Sequence, residues 1–166
     1  MDILTYPHPA LRLVADPVKN IDQEIQDLIR NMIKTMHQAP SGIGLAANQV
    51  GIPKRIIVYN FHREEGEEKA GVLINPEIVM SEGKIVREEA CLSIIDFSAE
   101  VTRHAKIKVQ GIDRNEKPVA IEADDLKAIC FQHEIDHLNG ILFIDHISSL
   151  KRALYKKRLK KRLRTD

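Results

Sequence analysis

The clearest pattern near the start of the chain is helical. Between residues 25 and 36, apolar side chains recur every three or four positions, which predicts an amphipathic α-helix. Asn20 or Asp22 can cap its N-terminus, because a short polar side chain there accepts hydrogen bonds from free backbone amides. Pro40-Ser41-Gly42 is expected to end it. The apolar positions are Ile25, Leu28, Ile29, Met32, Ile33 and Met36.

The middle of the chain has the pattern of short strands. Residues 105–109 alternate apolar and polar side chains, which is typical of a strand with one buried face. Residues 62–69 are almost all charged or polar and predict an exposed loop. The apolar runs that predict strands are 55–59, 72–75, 85–86, 101–109 and 119–121.

Two further helices are predicted downstream. One fits residues 125–138 and ends at Asn139-Gly140, and the other runs from Ser148 to about Arg164. The order of a helix, several strands and two helices differs from alternating βαβ units. It predicts an α+β fold with mainly antiparallel strands.

The last predicted helix carries a concentrated positive charge. Residues 151–166 hold nine Lys or Arg and one Asp, a net charge of +8, whereas residues 1–150 have a net charge of −7. An acidic body with a basic tail indicates a polyanionic partner. The alternative is a solvated helix whose leucines pack on the domain. These leucines form a loose stripe at Leu150, Leu154, Leu159 and Leu163.

Composition is that of a globular protein with an aliphatic core. Apolar residues make up 43% and charged residues 30% of the chain, and there is no Trp. The opening Met-Asp-Ile-Leu lacks the regions of a signal peptide, and no segment approaches the roughly 18 apolar residues of a membrane span. We therefore expect a cytoplasmic protein without a membrane partner.

The most informative segment is Gln132-His133-Glu134-Ile135-Asp136-His137, which contains His-Glu-x-x-His. On a helix, His133 and His137 project from one face and can bind one divalent cation. Glu134 beside them can handle a proton of a water molecule that the metal activates. The alternative is a surface helix with two idle histidines. The apolar neighbours Ile129 and Ile135 favour a buried helix, where unpartnered His and Glu would be costly.

A third metal ligand is needed, and cysteine supplies the best candidate. Downstream, Asp145 and His146 lie too close to the end of the helix. Cys130 sits among apolar neighbours and fits a small core residue. Cys91 is different, because it lies between Glu89 and Ser93 in a turn expected after a strand. A Cys-His-His site with one open position suits a catalytic metal.

A glycine-rich segment precedes these motifs, at residues 42–51. It lacks the Lys-Ser/Thr ending of a phosphate-binding loop and the spacing of a dinucleotide-binding loop. One interpretation is a tight turn packed on the core. The other is a segment lying against the metal site, where the Gln49 amide can donate to a developing oxyanion.

Together, these three segments resemble the peptide deformylase family. That family carries Gly-h-Gly-h-Ala-Ala-x-Gln, Glu-Gly-Cys-h-Ser and Gln-His-Glu-x-Asp-His-Leu-x-Gly in this order, where h is apolar. Here they stand as residues 42–49, 89–93 and 132–140, and residues 6–12 are also similar to the family's opening. The resemblance implies antiparallel sheets around a central helix that carries the metal motif. It implies Fe(II) as the native metal, with zinc, nickel or cobalt able to replace it.

The resemblance also implies an activity, the hydrolysis of the N-formyl group from formyl-methionyl nascent peptides. Residues 1–147 would form the catalytic metal-hydrolase part and residues 148–166 a basic C-terminal helix of the same domain. We expect a monomer whose tail binds the ribosome. The implied metal ligands are Cys91, His133 and His137. The implied catalytic groups are Glu134, Gln49 and the Leu92 backbone N–H. The implied substrate-binding residues are Ile43, Gly44, Ala90, Leu126, Ile129 and Cys130.

Four residues depart from the family pattern. Ala90 replaces the glycine of Glu-Gly-Cys, which would strain the turn by about 1 kcal/mol if φ is positive there. Arg87 stands where an apolar residue is common, and Ile95 and Ser98 also differ from the expected bacterial pattern. These departures bear on side-chain preference and turnover, not on the metal site.

Two other functions fit parts of the pattern. One is a different metal-dependent amidase or peptidase, which would cleave unformylated peptides. The other is a non-catalytic module with a structural zinc ion and a basic RNA-binding tail. A structural zinc site is normally closed by a fourth protein ligand, and the sequence offers no good candidate.

Overall fold

The structure is a computed structural model and describes residues 1–162 and 164. These residues form three α-helices and seven β-strands. The helices are α1 (Gln23–Gln38), α2 (Asp125–Leu138) and α3 (Ser149–Arg162). The strands are β1 (Gly44–Ala46), β2 (Ile56–Tyr59), β3 (Gly71–Glu82), β4 (Ile85–Cys91), β5 (Ile94–Arg103), β6 (Lys106–Ile112) and β7 (Pro118–Asp124).

The strands form two antiparallel sheets. One has five strands in the order β1-β2-β3-β6-β7, and the other is the hairpin β4-β5. Strand β1 is therefore an edge of the larger sheet, and β4 has a free edge in the smaller one. The prediction of an α+β fold with antiparallel sheets is confirmed.

Helix α1 forms where its sequence predicts. The Asp22 carboxylate accepts a hydrogen bond from the Ile25 amide at 3.0 Å, so Asp22 and not Asn20 is the cap. The apolar stripe packs against the sheet, where Met32 and Met36 meet Leu45 and Ile56 in one buried cluster. The helix ends at Gln38, two residues before Pro40.

Helix α2 is the central helix of the molecule. Its residues Phe131, Ile135 and Leu138 are buried in one cluster with Ala46 of β1 and Leu73 of β3. A helix that is apolar on several sides belongs in the interior. Its bounds match the predicted residues 125–138.

Several predicted strands have different bounds in the structure. The predicted run 101–109 is divided, because the chain turns at His104 between β5 and β6. The buried Gln132 side chain holds this turn by bonding to the His104 backbone N–H at 2.9 Å and its carbonyl at 3.0 Å. Strand β3 continues to Glu82, beyond its predicted end. Its residues 77–82 are all exposed, so they lack the alternation of buried and exposed positions that predicts a strand. Strand β1 was not predicted, since it has only three residues, all buried.

The alternative that the leucines of the C-terminal helix pack on the domain holds for Leu159 but not for Leu150 and Leu154. Leu150 and Leu154 are 69% and 50% exposed, whereas Tyr155 is 4% exposed. Tyr155 packs against Phe97 and Tyr6, with ring centroids 4.6 and 6.2 Å apart, and Leu159 packs against the same cluster. A tyrosine four residues before a leucine therefore anchors α3. Leu163 lies outside the described residues. Among the described helices, none has the length and apolarity that a membrane crossing requires.

Candidate active site

Three metal-binding side chains meet where β4 ends beside α2. Cys91 is the last residue of β4, and His133 and His137 lie one helical turn apart on α2. Their possible ligand atoms all lie within 4.8 Å of one another. The Cys91 Sγ and His137 Nε2 atoms are 3.2 Å apart. The structure therefore brings together the three residues that the sequence proposed as ligands.

This cluster fits a first-row divalent metal. A thiolate and two imidazoles are the donors that zinc, iron, nickel and cobalt accept. Two buried polar atoms of the same region, Glu134 Oε2 and His137 Nδ1, have no hydrogen-bond partner in the described part of the chain. Within that part the cluster offers three possible protein ligands, the number that is typical of a catalytic metal site.

A buried carboxylate orients one of the imidazoles. The His133 Nδ1 atom lies 2.9 Å from Glu89 Oε2, so Nε2 is the ring nitrogen that could bind a metal. Arg103 donates to both Glu89 oxygens, at 2.7 and 3.0 Å, and to Asp136 Oδ2 at 2.6 Å. Burial alone would raise the pKa of Glu89, but hydrogen bonds from His133 and Arg103 outweigh it and lower that pKa to about 2.

Sequence reasoning did not assign roles to Glu89, Arg103 and Asp136. Glu89 had a usable signal, because alternation along a strand places it on the same side as Cys91 two residues later. Arg103 had none, since it stands 12 residues beyond Cys91 at the end of another strand.

The downstream residues rejected as ligands have other partners. His146 Nε2 lies 2.7 Å from Asp136 Oδ2, at the outer end of the Arg103 network. Asp145 accepts a hydrogen bond from Arg12 at 2.5 Å and one from the Leu142 amide at 2.9 Å. Neither belongs to the cluster of Cys91, His133 and His137.

Glu134 faces the cavity beside this cluster and is 5% exposed. A Cβ atom on Gly44 would lie 2.6 Å from Glu134 Oε1 and 2.8 Å from Cys130 Sγ. Position 44 must therefore be glycine for this carboxylate to stand where it does. Burial raises the pKa of Glu134 to about 7, although the neighbouring His133 opposes the shift. A carboxyl group with that pKa can exchange protons near neutral pH.

The side-chain amide of Gln49 has a fixed orientation. Its Oε1 atom accepts a hydrogen bond from the Ala46 amide at 2.9 Å. Its Nε2 atom donates to Ser93 Oγ at 3.1 Å and lies 3.7 Å from Cys91 Sγ. The donor end of the amide therefore points toward the ligand cluster, as the proposed oxyanion role requires.

A cavity of about 300 Å³ opens beside the cluster. Cys130 is buried in its floor, and Leu126 is largely exposed at its mouth. Gln49 and Leu92 border the same space. All six predicted substrate-binding residues line it: Ile43, Gly44, Ala90, Leu126, Ile129 and Cys130.

The residues that depart from the family pattern are accommodated. Ala90 has no positive φ and pairs with Ser98 in β4, just before the register of the hairpin shifts at Cys91, so the alanine side chain adds no strain of the left-handed kind. Arg87 pairs with Asp125 at 3.4 Å, and both side chains are exposed beyond the cavity lining. Ser98 donates to Glu88 Oε1 at 2.8 Å, and Ile95 is exposed.

Comparison with known proteins decides the family. A family model described as polypeptide deformylase matches residues 1–153. The chain belongs to this family. A peptide deformylase of Rhizobium meliloti is 50% identical over 164 residues, covering 98% of this chain and 94% of that protein. One from Thermodesulfovibrio yellowstonii is 49% identical over 160 residues, 96% of each chain.

Solved deformylase structures have the same fold. The crystal structure of a peptide deformylase from Legionella pneumophila superposes with a TM-score of 0.91 at 41% identity, covering 99% of this chain and 95% of that one. Like other peptide deformylases, the chain is a metal-dependent hydrolase that removes the N-formyl group from nascent proteins. This activity excludes the non-catalytic binding module.

Proposed function

We propose that this deformylase holds its metal with Cys91, His133 and His137 and uses Glu134 to move the proton of the attacking water. The observation that carries the proposal is the position of a buried carboxyl group between a three-ligand cluster and the cavity. Glu134 lines the same cavity as Cys91 and His133 but does not belong to the ligand cluster, so its carboxyl group is available for proton transfer.

The metal, when bound, supplies Lewis-acid chemistry that acidifies water and polarises the formyl carbonyl. Glu134 takes a proton from the water that attacks the formyl carbon and then delivers it to the leaving amine. The Gln49 side chain and the Leu92 backbone N–H donate to the formyl oxygen as negative charge grows there. Each such donor typically contributes a few kcal/mol. The products are formate and a free N-terminus.

The substrate peptide fits between two free strand edges. Gly44 of β1 and Ala90 of β4 border the same cavity, and each strand has one edge that pairs with no other strand of the described residues. An extended peptide can pair with such edges through main-chain hydrogen bonds. Its methionine side chain then enters the space between Ile43, Ile129 and Cys130, and Leu126 lies at the mouth.

We further propose Fe(II) as the native metal. The affinity of such a site for divalent metals does not by itself favour iron over nickel, cobalt or zinc. Fe(II) beside a thiolate is readily oxidised in air. Anaerobic preparation should give the most active enzyme, air should lower its activity, and nickel or cobalt should give a durable form. Equal half-lives of the iron and nickel forms in air would contradict this assignment.

The test of the activity is formate release from formyl-Met-Ala-Ser, with metal content measured on the same anaerobic sample. The matched control is Met-Ala-Ser without the formyl group. Cleavage of the control peptide would instead support the alternative of a metal-dependent peptidase.

We propose that the basic helix α3 binds the ribosome, where formylated chains emerge. Its exposed cations should contact rRNA phosphates, and such binding weakens steeply with salt. Because Tyr155 anchors the helix in the body, we propose that residues 148–166 belong to one domain with residues 1–147.

The anchoring role of Tyr155 makes deletion of the tail an unsuitable test, since truncation would remove a buried side chain. The better test replaces four exposed lysines of α3, Lys151, Lys156, Lys157 and Lys160, with glutamine. The control replaces four exposed lysines of the body, Lys34, Lys84, Lys106 and Lys117. Co-sedimentation with ribosomes at two salt concentrations should fall for the first set only. Equal binding by both sets would overturn the proposal.

We also propose that the enzyme acts as a monomer in the cytoplasm. Support for the location comes from the substrates, because formylated nascent chains emerge from ribosomes in the cytoplasm. Light scattering of the purified protein should give a mass near 18.9 kDa, and a dimer mass would contradict the first part. Recovery of the enzyme in the membrane fraction of cells would contradict the second.

A further inference from the structure

The guanidinium group of Arg63 donates hydrogen bonds to four backbone carbonyls. Arg63 donates to the carbonyl of His37 at 3.1 Å and to that of Ala39 at 2.9 Å. It also donates to the carbonyl of Met36 at 3.3 Å and to the carbonyl of Gly42. Arg63 lies in a charged segment whose other acidic and basic side chains are exposed.

These carbonyls belong to the end of α1 and the loop that follows. The last carbonyls of a helix have no partner within it, and a cation there also opposes the negative end of the helix dipole. Asn60 also connects the end of α1 to the segment before β1. Its backbone N–H donates to the Ile43 carbonyl at 2.9 Å, and its side-chain amide contacts His37 Nε2 at 3.0 Å. Asn60 is buried.

The loop held in this way leads straight to the substrate. Gly42, Ile43 and Gly44 all border the cavity, and Gly44 begins edge strand β1. The loop packs closely, since a Cβ atom on Gly42 would lie 2.6 Å from the Met36 carbonyl oxygen. Arg63 donates hydrogen bonds both to the Met36 carbonyl of α1 and to the Gly42 carbonyl, two residues before β1. Loss of these hydrogen bonds would let the start of β1 move.

We propose that Arg63 is a positioning residue for substrate binding. It acts through residues 39–42 on the free edge of β1 and does not touch the reacting atoms. This inference rests on the proposed pairing of substrate with β1. The ligand cluster and Glu134 lie on β4 and α2, and Gln49 has its own hydrogen bonds to Ala46 and Ser93, so the chemical step should depend much less on Arg63 than substrate binding does.

The decisive variant is Arg63→Lys, which keeps the charge but replaces a planar five-donor group with a single ammonium. With formyl-Met-Ala-Ser, KM should rise by about fivefold or more, and kcat should stay within about twofold, because lost hydrogen bonds loosen the binding edge only. Metal content should not change. Hydrogen exchange of the segment 39–46 should become faster. The matched control is Arg30→Lys, an exposed arginine of α1 that pairs only with Asp27 among the contacts described.

Each outcome separates the positioning role from a merely structural one. A raised KM with faster exchange at 39–46 in Arg63→Lys, and no such change in Arg30→Lys, supports the proposal. A lower melting temperature with KM unchanged would overturn it, as would a fall in kcat at constant KM. Arg63→Ala should enlarge the effect on KM, and if it does not fold, Arg63→Lys decides alone. A wild-type enzyme that releases no formate would contradict the proposed function instead.

Discussion

Helices α2 and α3 have the same length but use their polar residues in opposite ways. In α2, Gln132, Glu134 and His137 are buried, and the flanking His133 and Asp136 are fixed by Glu89 and Arg103. In α3, Tyr155 is the one buried residue of the described part, and most charged side chains are exposed, including Arg162, which pairs with Asp96 at the surface.

The difference separates two kinds of constraint. A buried polar side chain needs a partner at a defined distance, so one substitution disturbs several neighbours. An exposed charge contributes to a field that extends over roughly 10 Å and depends little on any single residue. Substitutions in α2 should therefore be severe, and those in α3 should be mild, apart from its anchor.

The largest effect is expected at Glu134. Glu134→Gln keeps the size of the side chain but removes the group that we propose moves the proton, so formate release should fall by about 10³-fold or more at unchanged metal content. The comparison variant is Glu88→Gln, an exposed carboxylate of the cavity wall, which should retain activity within a few fold. Loss of metal in Glu134→Gln would show that Glu134 is a ligand.

The next largest effect is expected for Arg103→Met. It leaves buried Glu89 without its cation and Asp136 with His146 alone, which should lower the free energy of unfolding by about 3–5 kcal/mol. Metal affinity should fall by about 10- to 100-fold, because the carboxylate that orients His133 is no longer held.

Urea unfolding of the metal-free protein and competition with a chelator measure the two effects of Arg103→Met separately. The counterpart in α3 is Arg152→Met, which breaks a longer and half-exposed contact with Asp145 at 3.8 Å. It should change stability by no more than about 1 kcal/mol. Equal losses in both variants would remove the distinction between the two helices.

Within α3, two adjacent residues should behave differently. Tyr155→Ala empties an aromatic cluster and should cost about 3 kcal/mol, whereas Leu154→Ala should change stability by less than about 0.5 kcal/mol. Thermal or urea unfolding checks this pair. If Leu154→Ala is the more damaging, the orientation of the helix described above is wrong.

The smallest effect is expected at Ala90. Because its φ is not positive, glycine relieves no strain there and only adds freedom to the unfolded chain. Ala90→Gly should lose about 0.5–1 kcal/mol of stability, with turnover within about twofold. A several-fold gain in turnover would reveal strain that the backbone conformation does not show.

Prediction from sequence succeeded where local spacing determines geometry. The i, i+4 spacing placed His133 and His137 on one side of α2, and the bounds of that helix followed from its apolar pattern and Asn139-Gly140. The cavity residues were assigned through the family resemblance, and the structure brings all of them together. Their individual roles remain predictions.

What sequence could not show depends on contacts between distant segments. Arg103 meets Glu89 and Asp136 only after the β4-β5 hairpin has closed against α2. The anchoring role of Tyr155 was missed because attention fell on the leucine spacing. Spacing alone does not say which side of a basic helix faces the body. Strand β1 was too short for its alternation to be recognised.

The free edges of β1 and β4 have a consequence for the range of proteins that the enzyme can process. Main-chain amides and carbonyls are the same in every polypeptide, so an edge that pairs with them reads no sequence. Under the proposed pairing, discrimination is left to the cavity, which we propose takes the methionine side chain, and to the formyl group. A single enzyme built this way can serve the many different N-termini that a genome encodes, provided that they all begin alike.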